Sequence, residues 1–168
     1  SGLPTEYELD TAEIRVKEAS YCVYIDYSWG GTESGTITQP YSSMSGATIT
    51  AGYGYFVKRG STYSGTSQQV NETGIVGTAA NPTILGAYGT GNKPSFTYTG
   101  GSGVRCIELK DAATPCSYFK VYDWAFHDWG AEAMRTYYGG VGFGVYNCDF
   151  SGNCHVLLGD DLADVFFY

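Results

Sequence analysis

The stretch YCVYIDYSW, residues 21–29, is the clearest structural signal in this chain. Its residues alternate between two faces, as side chains do along a β-strand, and Gly30-Gly31 ends the run with residues that turns require. One face carries Tyr21, Val23, Ile25 and Tyr27, and the other carries Cys22, Tyr24 and Asp26. The stretch therefore predicts a half-buried strand.

Further short strands follow outward from this stretch, with Gly-containing turns between them. The clearest are Tyr53–Lys58, Val104–Leu109, Phe119–Tyr122 and a closing strand at Asp164–Tyr168. Residues 141–146 and 155–158 read as a hairpin, and residues 72–103 as long loops with one or two edge strands and a binding surface. Such short, turn-delimited strands predict a mainly β fold, an antiparallel β-sandwich or barrel.

One amphipathic helix is predicted at about residues 123–137. Phe126, Trp129, Ala133 and Tyr137 would share its apolar face, and Gly139-Gly140 would end it. The length of 168 residues predicts a single domain over residues 1–168. Within it, residues 1–8 read as a flexible acidic arm, and the segment that follows reads as a strand or a short helix.

The cysteines predict a disulfide-stapled domain. Cys106 and Cys116 form one close pair, Cys148 and Cys154 form another, and Cys22 lies outside both, inside the first strand. Close pairs around Gly- and Asn-containing loops are typical of proteins exported to an oxidising compartment. We therefore expect two disulfides and a secreted, extracellular location. Residues 1–10 lack the apolar core of a signal peptide, so the expected form is the mature one.

Composition restricts the partners. The nine Lys and Arg residues against 17 Asp and Glu give a net charge of -8, which disfavours nucleic acid and anionic membranes as partners. No apolar run is long enough for a transmembrane helix. Charged residues are only 15% of the chain, whereas Tyr occurs 16 times. A Tyr- and Gly-rich surface of low charge is typical of proteins that bind glycans or one another.

A spaced aromatic–glycine pattern lies at Tyr24, Trp29 and Gly31, with Glu33 two residues on. This pattern resembles the folded-hairpin signature of βγ-crystallin-type domains, and the resemblance implies a β-sandwich. Less complete copies lie at residues 63–67 and 146–152. Thr38 and Gln39 occupy the place of that family's acidic calcium ligands, so we expect no metal and no cofactor.

Three sets of residues are compatible with catalysis. His127 lies four residues after Asp123, with Asp128 and Glu132 beside it and His155 elsewhere, which would suit a metal or acid–base chemistry. The competing interpretation is a solvated helix face. Cys22 together with a histidine would form a catalytic thiol–imidazole pair. The competing interpretation is that Cys22 is a buried, inert thiol. A two-carboxylate glycosidase would draw on Asp26, Glu33, Asp123 and Asp128.

Because no motif fixes a reaction, the sequence favours a non-enzymatic role outside the cell. We expect a structural, self-assembling or adhesive protein, or one that attaches to a glycan or surface. The alternatives are a secreted two-carboxylate glycosidase or a protease-inhibitor-like module. Asn71 heads a glycosylation sequon, so the protein would be a glycoprotein. The candidate binding residues are Tyr53, Tyr55, Tyr63, Tyr88 and Tyr98.

Overall fold

A computed structural model describes residues 21–101, 103–110, 113–130, 132–137, 140–152, 154, 156–157 and 166–167. In this part of the chain the strands form three sheets, and every pairing between named strands is parallel. The first two of these strands both lie in the first sheet; from the second strand onward the chain visits the three sheets in turn and then returns to the first. Each circuit is one coil, and the stacked coils form a parallel β-helix.

The strands are numbered in chain order. Sheet 1 has six strands: β1 (Cys22–Ile25), β2 (Gly54–Lys58), β5 (Thr83–Tyr88), β8 (Phe119–Tyr122), β11 (Gly144–Tyr146) and β14 (Phe166–Phe167). Sheet 2 has four: β3 (Thr62–Gly65), β6 (Ser95–Tyr98), β9 (Ala125–His127) and β12 (Asp149–Ser151). Sheet 3 has four: β4 (Val70–Thr73), β7 (Ile107–Lys110), β10 (Met134–Thr136) and β13 (Val156–Leu157). A single 3-10 turn, Met44–Gly46, lies in the segment between β1 and β2.

The coils are in register but unequal in length. Gly54, Ile84, Lys120, Gly144 and Phe166 are successive register partners along sheet 1. Their spacing in the sequence changes from coil to coil because the connecting loops differ. The repeat is therefore a repeat of structure, without the fixed period by which β-helices are usually detected in a sequence.

The turns repeat at equivalent places in the later coils. Asp123 and Asn147, which follow β8 and β11, have φ angles of 62° and 46°. Asp128 and Gly152, which follow β9 and β12, have φ angles of 57° and 68°. Asp, Asn and Gly are the residues that tolerate this left-handed conformation best. These positions turn the chain from one sheet to the next without strain in a bulky residue.

The interior is a continuous core filled by one face of each sheet. Phe126 stacks between Phe96 and Phe150, with ring centroids 6.0 and 5.1 Å apart. Two buried indoles tie coils together: Trp124 donates to the Gly86 carbonyl at 2.8 Å and Trp129 to the Phe96 carbonyl at 2.9 Å. Aromatic stacking and satisfied indole N–H groups thus hold successive coils at a fixed separation.

Sheet 1 is also apolar on its outer face. Phe56, Ile84, Tyr122 and Tyr146 form a second buried cluster there. At Gly86 a Cβ atom would lie 3.0 Å from the Phe56 ring, so the glycine makes room for that side chain. A sheet buried on both faces has strands without strict polar alternation. This explains the nearly continuous apolar character of β2 and β5.

Several predicted strands are confirmed. Phe119–Tyr122 matches β8, Tyr53–Lys58 contains β2, and the first stretch contains β1. The closing strand at Asp164–Tyr168 contains β14, which pairs with β11 within the same sheet. The predicted arm at residues 1–8 and the segment after it lie outside the described residues.

The predicted antiparallel sandwich or barrel is wrong, because the strands pair in parallel through successive sheets. The hairpin is also wrong, since β11 and β13 belong to different sheets. Residues 72–103 are not mainly loops, because they contain the central strands β5 and β6. Short strands between Gly-rich turns are common to sandwiches and β-helices, so strand spacing alone did not distinguish them.

The predicted helix at 123–137 is wrong. Its described residues hold β9 and β10 instead. Phe126, Trp129 and Ala133 are all buried, as the helix prediction required. Their spacing of three and four arises because the turn at Asp128 interrupts the alternation of a strand. Among the described residues, no helix is long and apolar enough to span a membrane.

The predicted disulfides are wrong, since all five cysteines are thiols. Cys106 directly precedes β7 of sheet 3, whereas Cys116 follows that strand and accepts a hydrogen bond from the Ile75 N–H at 3.4 Å, just beyond β4 of the same sheet. Cys148 precedes β12 and Cys154 precedes β13, which are in different sheets. Burial raises the pKa of Cys106 well above its ordinary value and that of Cys148 to about 12. The extracellular location loses this support and stays a prediction.

We expect intact-mass analysis to find five alkylatable thiols. The protein would be unfolded without reductant and treated with iodoacetamide, because buried thiols react only when the fold is opened. A parallel sample reduced beforehand is the control, and both should gain the same mass. A gain of one label without reductant, and five with it, would contradict the structure.

Replacing Phe126 with Ala should lower the free energy of unfolding by about 3–5 kcal/mol, because the cavity would lie between two stacked rings. Thermal denaturation followed by circular dichroism measures the loss. Phe150→Ala is the matched control: Phe150 is only partly buried, and its loss should be smaller. Equal losses would show that the stack is no tighter at its centre than at this end.

Candidate functional site

A cleft of about 250 Å³ lies where sheet 1 turns into sheet 2 in the first coils. We call it the corner cleft. Its lining comes from two adjacent coils: Asp26, Tyr27 and Ser28 after β1, and Lys58, Arg59, Gly60, Ser61 and Thr62 between β2 and β3.

Backbone bonds fix both turns of the corner cleft. The Asp26 N–H donates to the Tyr41 carbonyl at 2.8 Å, and the Trp29 N–H donates to the Asp26 carbonyl at 2.9 Å. Across the cleft, Gly60 has a φ of 80°, and its N–H donates to the Asn92 carbonyl at 2.8 Å. Glycine is suited to this left-handed position. The next coil thereby holds the turn that carries the basic residues.

Asp26 is the central acid of the cleft and is only 4% exposed. One carboxylate oxygen accepts a hydrogen bond from the Lys58 ammonium at 2.7 Å, and the other accepts from the Ser28 hydroxyl at 2.7 Å and from Ser61 at 3.3 Å. Burial raises the pKa of Asp26, but the bonds from Lys58 and Ser28 outweigh it and hold that pKa below its ordinary value. Asp26 is therefore an ionised carboxylate at neutral pH.

A second polar group extends along the same corner. The Arg59 guanidinium forms an ion pair with Asp123, which is only 2% exposed. Asp123 also accepts from the Asn147 amide at 2.7 Å. Lys93 then donates to Asn147 at 3.0 Å and to Asp149 at 2.8 Å. The corner thus carries a row of charged and amide groups that runs along the axis of the β-helix.

A tyrosine borders this row. Tyr88, at the end of β5, packs edge-on against Tyr24 at 5.1 Å. Burial, the Asp26 charge and Tyr24 raise the pKa of Tyr88 to about 12. The phenol is therefore protonated at neutral pH and can donate a hydrogen bond.

The arrangement suits polar binding better than proton transfer. A glycosidase acid needs a raised pKa, and among the described carboxyls only Glu72 shows one, caused by burial. Glu72 belongs to β4 in sheet 3, away from the corner cleft. No group of three or more His, Cys, Asp or Glu side chains in the described part of the chain is placed to hold a metal ion.

Of the four carboxylates considered for glycosidase chemistry, Asp26 and Asp123 lie along this corner. Glu33 is exposed and accepts a hydrogen bond from the Ser42 N–H at 3.1 Å. Asp128 lies at the next corner, after β9. The interpretation of Asp123 as a solvated helix residue is wrong, because it is buried and ion-paired.

His127 is separate from Asp123. It lies on the outer face of sheet 2, where its Nδ1 is hydrogen-bonded with the Ser151 hydroxyl. Cys22 lies in β1 and is only partly buried. His155, the other histidine, lies outside the described residues.

The five tyrosines predicted to bind a ligand are not brought together. Tyr55 and Tyr98 are buried in the core, which leaves no face of either ring to a ligand. Tyr53, Tyr63 and Tyr88 are partly exposed and lie in different parts of the coils. Their role in binding stays a prediction. Asn71, the predicted glycosylation site, is exposed on strand β4.

The residues that the sequence did not single out are Lys58 and Arg59. Their signal was present: two consecutive cations end a strand before Gly60, in a chain with only nine Lys and Arg residues. Ser28 and Ser61 carried no such signal, because serine is frequent in turns of every kind.

Comparison with known proteins supports the fold of this chain and nothing beyond the fold. No family model matches the chain, and no curated protein matches it. Among solved structures, the GH136 lacto-N-biosidase from Eubacterium ramulus is similar, in both its native and its selenomethionine form. Each has a TM-score of 0.52 and 15% sequence identity, over 90% of this chain but 36% of that one. The chain thus spans about a third of that enzyme, and at this identity the likeness shows the fold alone. Nothing in these comparisons bears on the βγ-crystallin-like pattern, which stays a prediction.

Asp26→Asn should destabilise the protein in a pH-dependent way. The pKa of Asp26 is lowered by folding, so its contribution is present above the unfolded value of about 4 and is lost as pH falls through the folded value. We expect a loss of about 1–2 kcal/mol at pH 7, limited because Lys58 is half exposed, and a smaller loss near pH 3. Urea unfolding at both pH values measures it.

Asp149→Asn is the matched control, because Asp149 is exposed and ion-paired with Lys93. Its effect should be small at both pH values. An Asp26→Asn loss that is the same at pH 3 and pH 7 would contradict an ionised, stabilising carboxylate.

Proposed function

We propose that this chain binds a carbohydrate in the corner cleft, on a β-helix of the kind that a glycoside hydrolase also uses. The observation that carries the proposal is the lining of the cleft. Lys58 and Arg59 supply charged donors, the ionised Asp26 holds Lys58 in place, and three hydroxyl oxygens supply acceptors: Ser28, Ser61 and Thr62.

This lining matches the chemistry of a sugar. Each sugar hydroxyl donates one hydrogen bond and accepts others, so it is satisfied by acceptors and donors placed close together. Tyr27 adds an aromatic residue to the same cleft. The volume of about 250 Å³ is slightly below the usual range of roughly 300–1,000 Å³ for ligand pockets, which favours no more than one sugar unit in the cleft.

The solved neighbour supports the same class of ligand. It is a lacto-N-biosidase by name, and its β-helix is shared by 90% of this chain. A shared fold is an analogy and does not transfer an activity. The shared fold nevertheless favours a glycan over another polar ligand of equal size. Of the two roles expected from the sequence, glycan attachment has this support, whereas self-association and secretion stay predictions.

Hydrolysis of a glycoside is the second candidate. It is favoured by Asp26, whose lowered pKa suits a general base or nucleophile. The partner acid would have to come from a residue outside those described at the cleft. Incubation with chromogenic aryl glycosides tests this directly: release of aryl alcohol that Asp26→Asn abolishes would support it, and no release would leave binding alone.

Thr62→Tyr should weaken oligosaccharide binding at least tenfold, because the ring would fill the cleft without removing an ion pair. Isothermal titration with a panel of neutral and acidic oligosaccharides measures the affinity. Ser64→Tyr is the matched control, since Ser64 lies two residues along β3, on the same face and outside the cleft lining. Equal effects of the two substitutions, or no binding by the unmodified protein, would refute the proposal.

A further inference from the structure

The geometry points to an acidic glycan as the ligand of the corner cleft, one whose sugar carries a carboxylate. This inference rests on the proposed function and narrows it to a class of sugar. The evidence is how charge is distributed between the floor and the surface of the cleft.

Positive charge is scarce in this chain, and two of its cations meet at the cleft. The chain has nine Lys and Arg residues and a net charge of -8. Two of the cations, Lys58 and Arg59, are consecutive and both line the cleft. A chain with this balance repels anions over most of its surface, so a cationic pair in a concave site distinguishes that site from its surroundings.

The acids of the site lie beneath its cations. The side chains of Asp26 and Asp123 are 5% and 3% exposed, whereas those of their partners Lys58 and Arg59 are 50% and 11% exposed. A ligand arriving from solvent therefore meets the ammonium and the guanidinium first. The buried carboxylates hold these cations in place.

The two cations retain donors for a ligand. An ammonium has three N–H donors and a guanidinium has five, arranged to match a carboxylate. The Lys58 Nζ is recorded with one carboxylate partner, Asp26 at 2.7 Å. The Ser28 hydroxyl already donates to Asp26, so the excess of donors in the cleft comes from the two cations, and the Thr62 hydroxyl can donate as well. A sugar carboxylate, which only accepts, satisfies that excess.

Neutral sugars fit this balance less well. A hydroxyl that donates needs an acceptor, and the Asp26 oxygens already receive hydrogen bonds from Lys58, Ser28 and Ser61. The carboxylate of a uronic or sialic acid needs no such acceptor. We therefore expect a carboxylated sugar to bind more tightly than the same sugar with its carboxylate reduced to an alcohol.

The experiment compares two matched pairs of probes by isothermal titration with the unmodified protein. The first pair is a uronic acid tetrasaccharide and its carboxyl-reduced form. The second is sialyllactose and lactose. We expect at least one acidic member to bind tenfold or more tightly than its neutral partner, with the advantage shrinking as salt rises from 50 to 500 mM because charges are screened.

Lys58→Met tests the residue, because it removes the charge and keeps most of the side-chain stem. It should abolish the preference for the acidic sugar, so that the acidic and neutral members of each pair bind with equal affinity. Lys110→Met is the matched control: Lys110 is 40% exposed and paired with Glu108 at 3.1 Å, on the outer face of sheet 3. Its preference should equal that of the unmodified protein.

The outcomes separate this inference from the proposed function. Tighter binding of an acidic probe that Lys58→Met removes supports both. Equal or tighter binding of the neutral probes overturns the acidic ligand and leaves the carbohydrate site standing. A preference that survives Lys58→Met, whatever Lys110→Met does, overturns the assignment to the cleft. No binding of any probe overturns the inference together with the proposed function.

Discussion

The in-register parallel pairing of successive coils is the constraint on which the rest of this molecule depends. In a solenoid the strands of each coil pair only with those of its neighbours, so no distant strand can correct an error in pairing. The inward column of sheet 1 illustrates this, since Tyr55, Leu85, Val121 and Val145 are consecutive register partners and all are buried. A slip of one residue would turn every side chain of a strand to the opposite face. The register therefore decides which residues form the core, and loop length is left to vary.

The corner cleft is a direct consequence of the same register. Asp26 and Lys58 are adjacent because Ile25 pairs with Val57 one position earlier. Arg59 reaches Asp123 even though the coil that contains β5 lies between their strands in sheet 1. A buried ion pair contributes little net stability, but loss of one partner leaves an uncompensated charge at a cost of about 3–5 kcal/mol. Only the Arg59–Asp123 pair is buried on both sides, so that pair acts more strongly against wrong registers than in favour of the right one. The Asp26–Lys58 pair is weakened by solvent, because Lys58 is half exposed.

The sequence predicted individual strands better than their arrangement, and the reasons are physical. Phe119–Tyr122 alternates and ends at a residue suited to a left-handed turn, so its bounds could be found locally. The partner of that strand could not, because parallel partners are a whole coil away and coils differ in length. The false helix arose at the corners, where Asp128 shifts the inward positions from a spacing of two to a spacing of three. The two cysteine pairs were close in sequence, yet a strand lies between the members of each pair: β7 in the first and β12 in the second.

The residues of the candidate site also fall into two groups: those that the local sequence could identify and those that only the register of the coils brings together. The alternation of side chains along the first predicted strand placed Asp26 on the opposite face from the inward Tyr27. Asp26 was also among the acids considered for glycosidase chemistry. Nothing near it in the sequence indicated that Lys58 and Ser61 would join it, because only the stacking of two coils brings them together. In a β-helix, the residues on each sheet face either fill the core or stack on the equivalent residues of neighbouring coils. At the corners the chain leaves the sheets, so insertions and charged groups are tolerated there without disturbing this stacking. A polar cleft at the corner between sheets 1 and 2 is therefore the place where this scaffold can acquire a ligand while keeping its register.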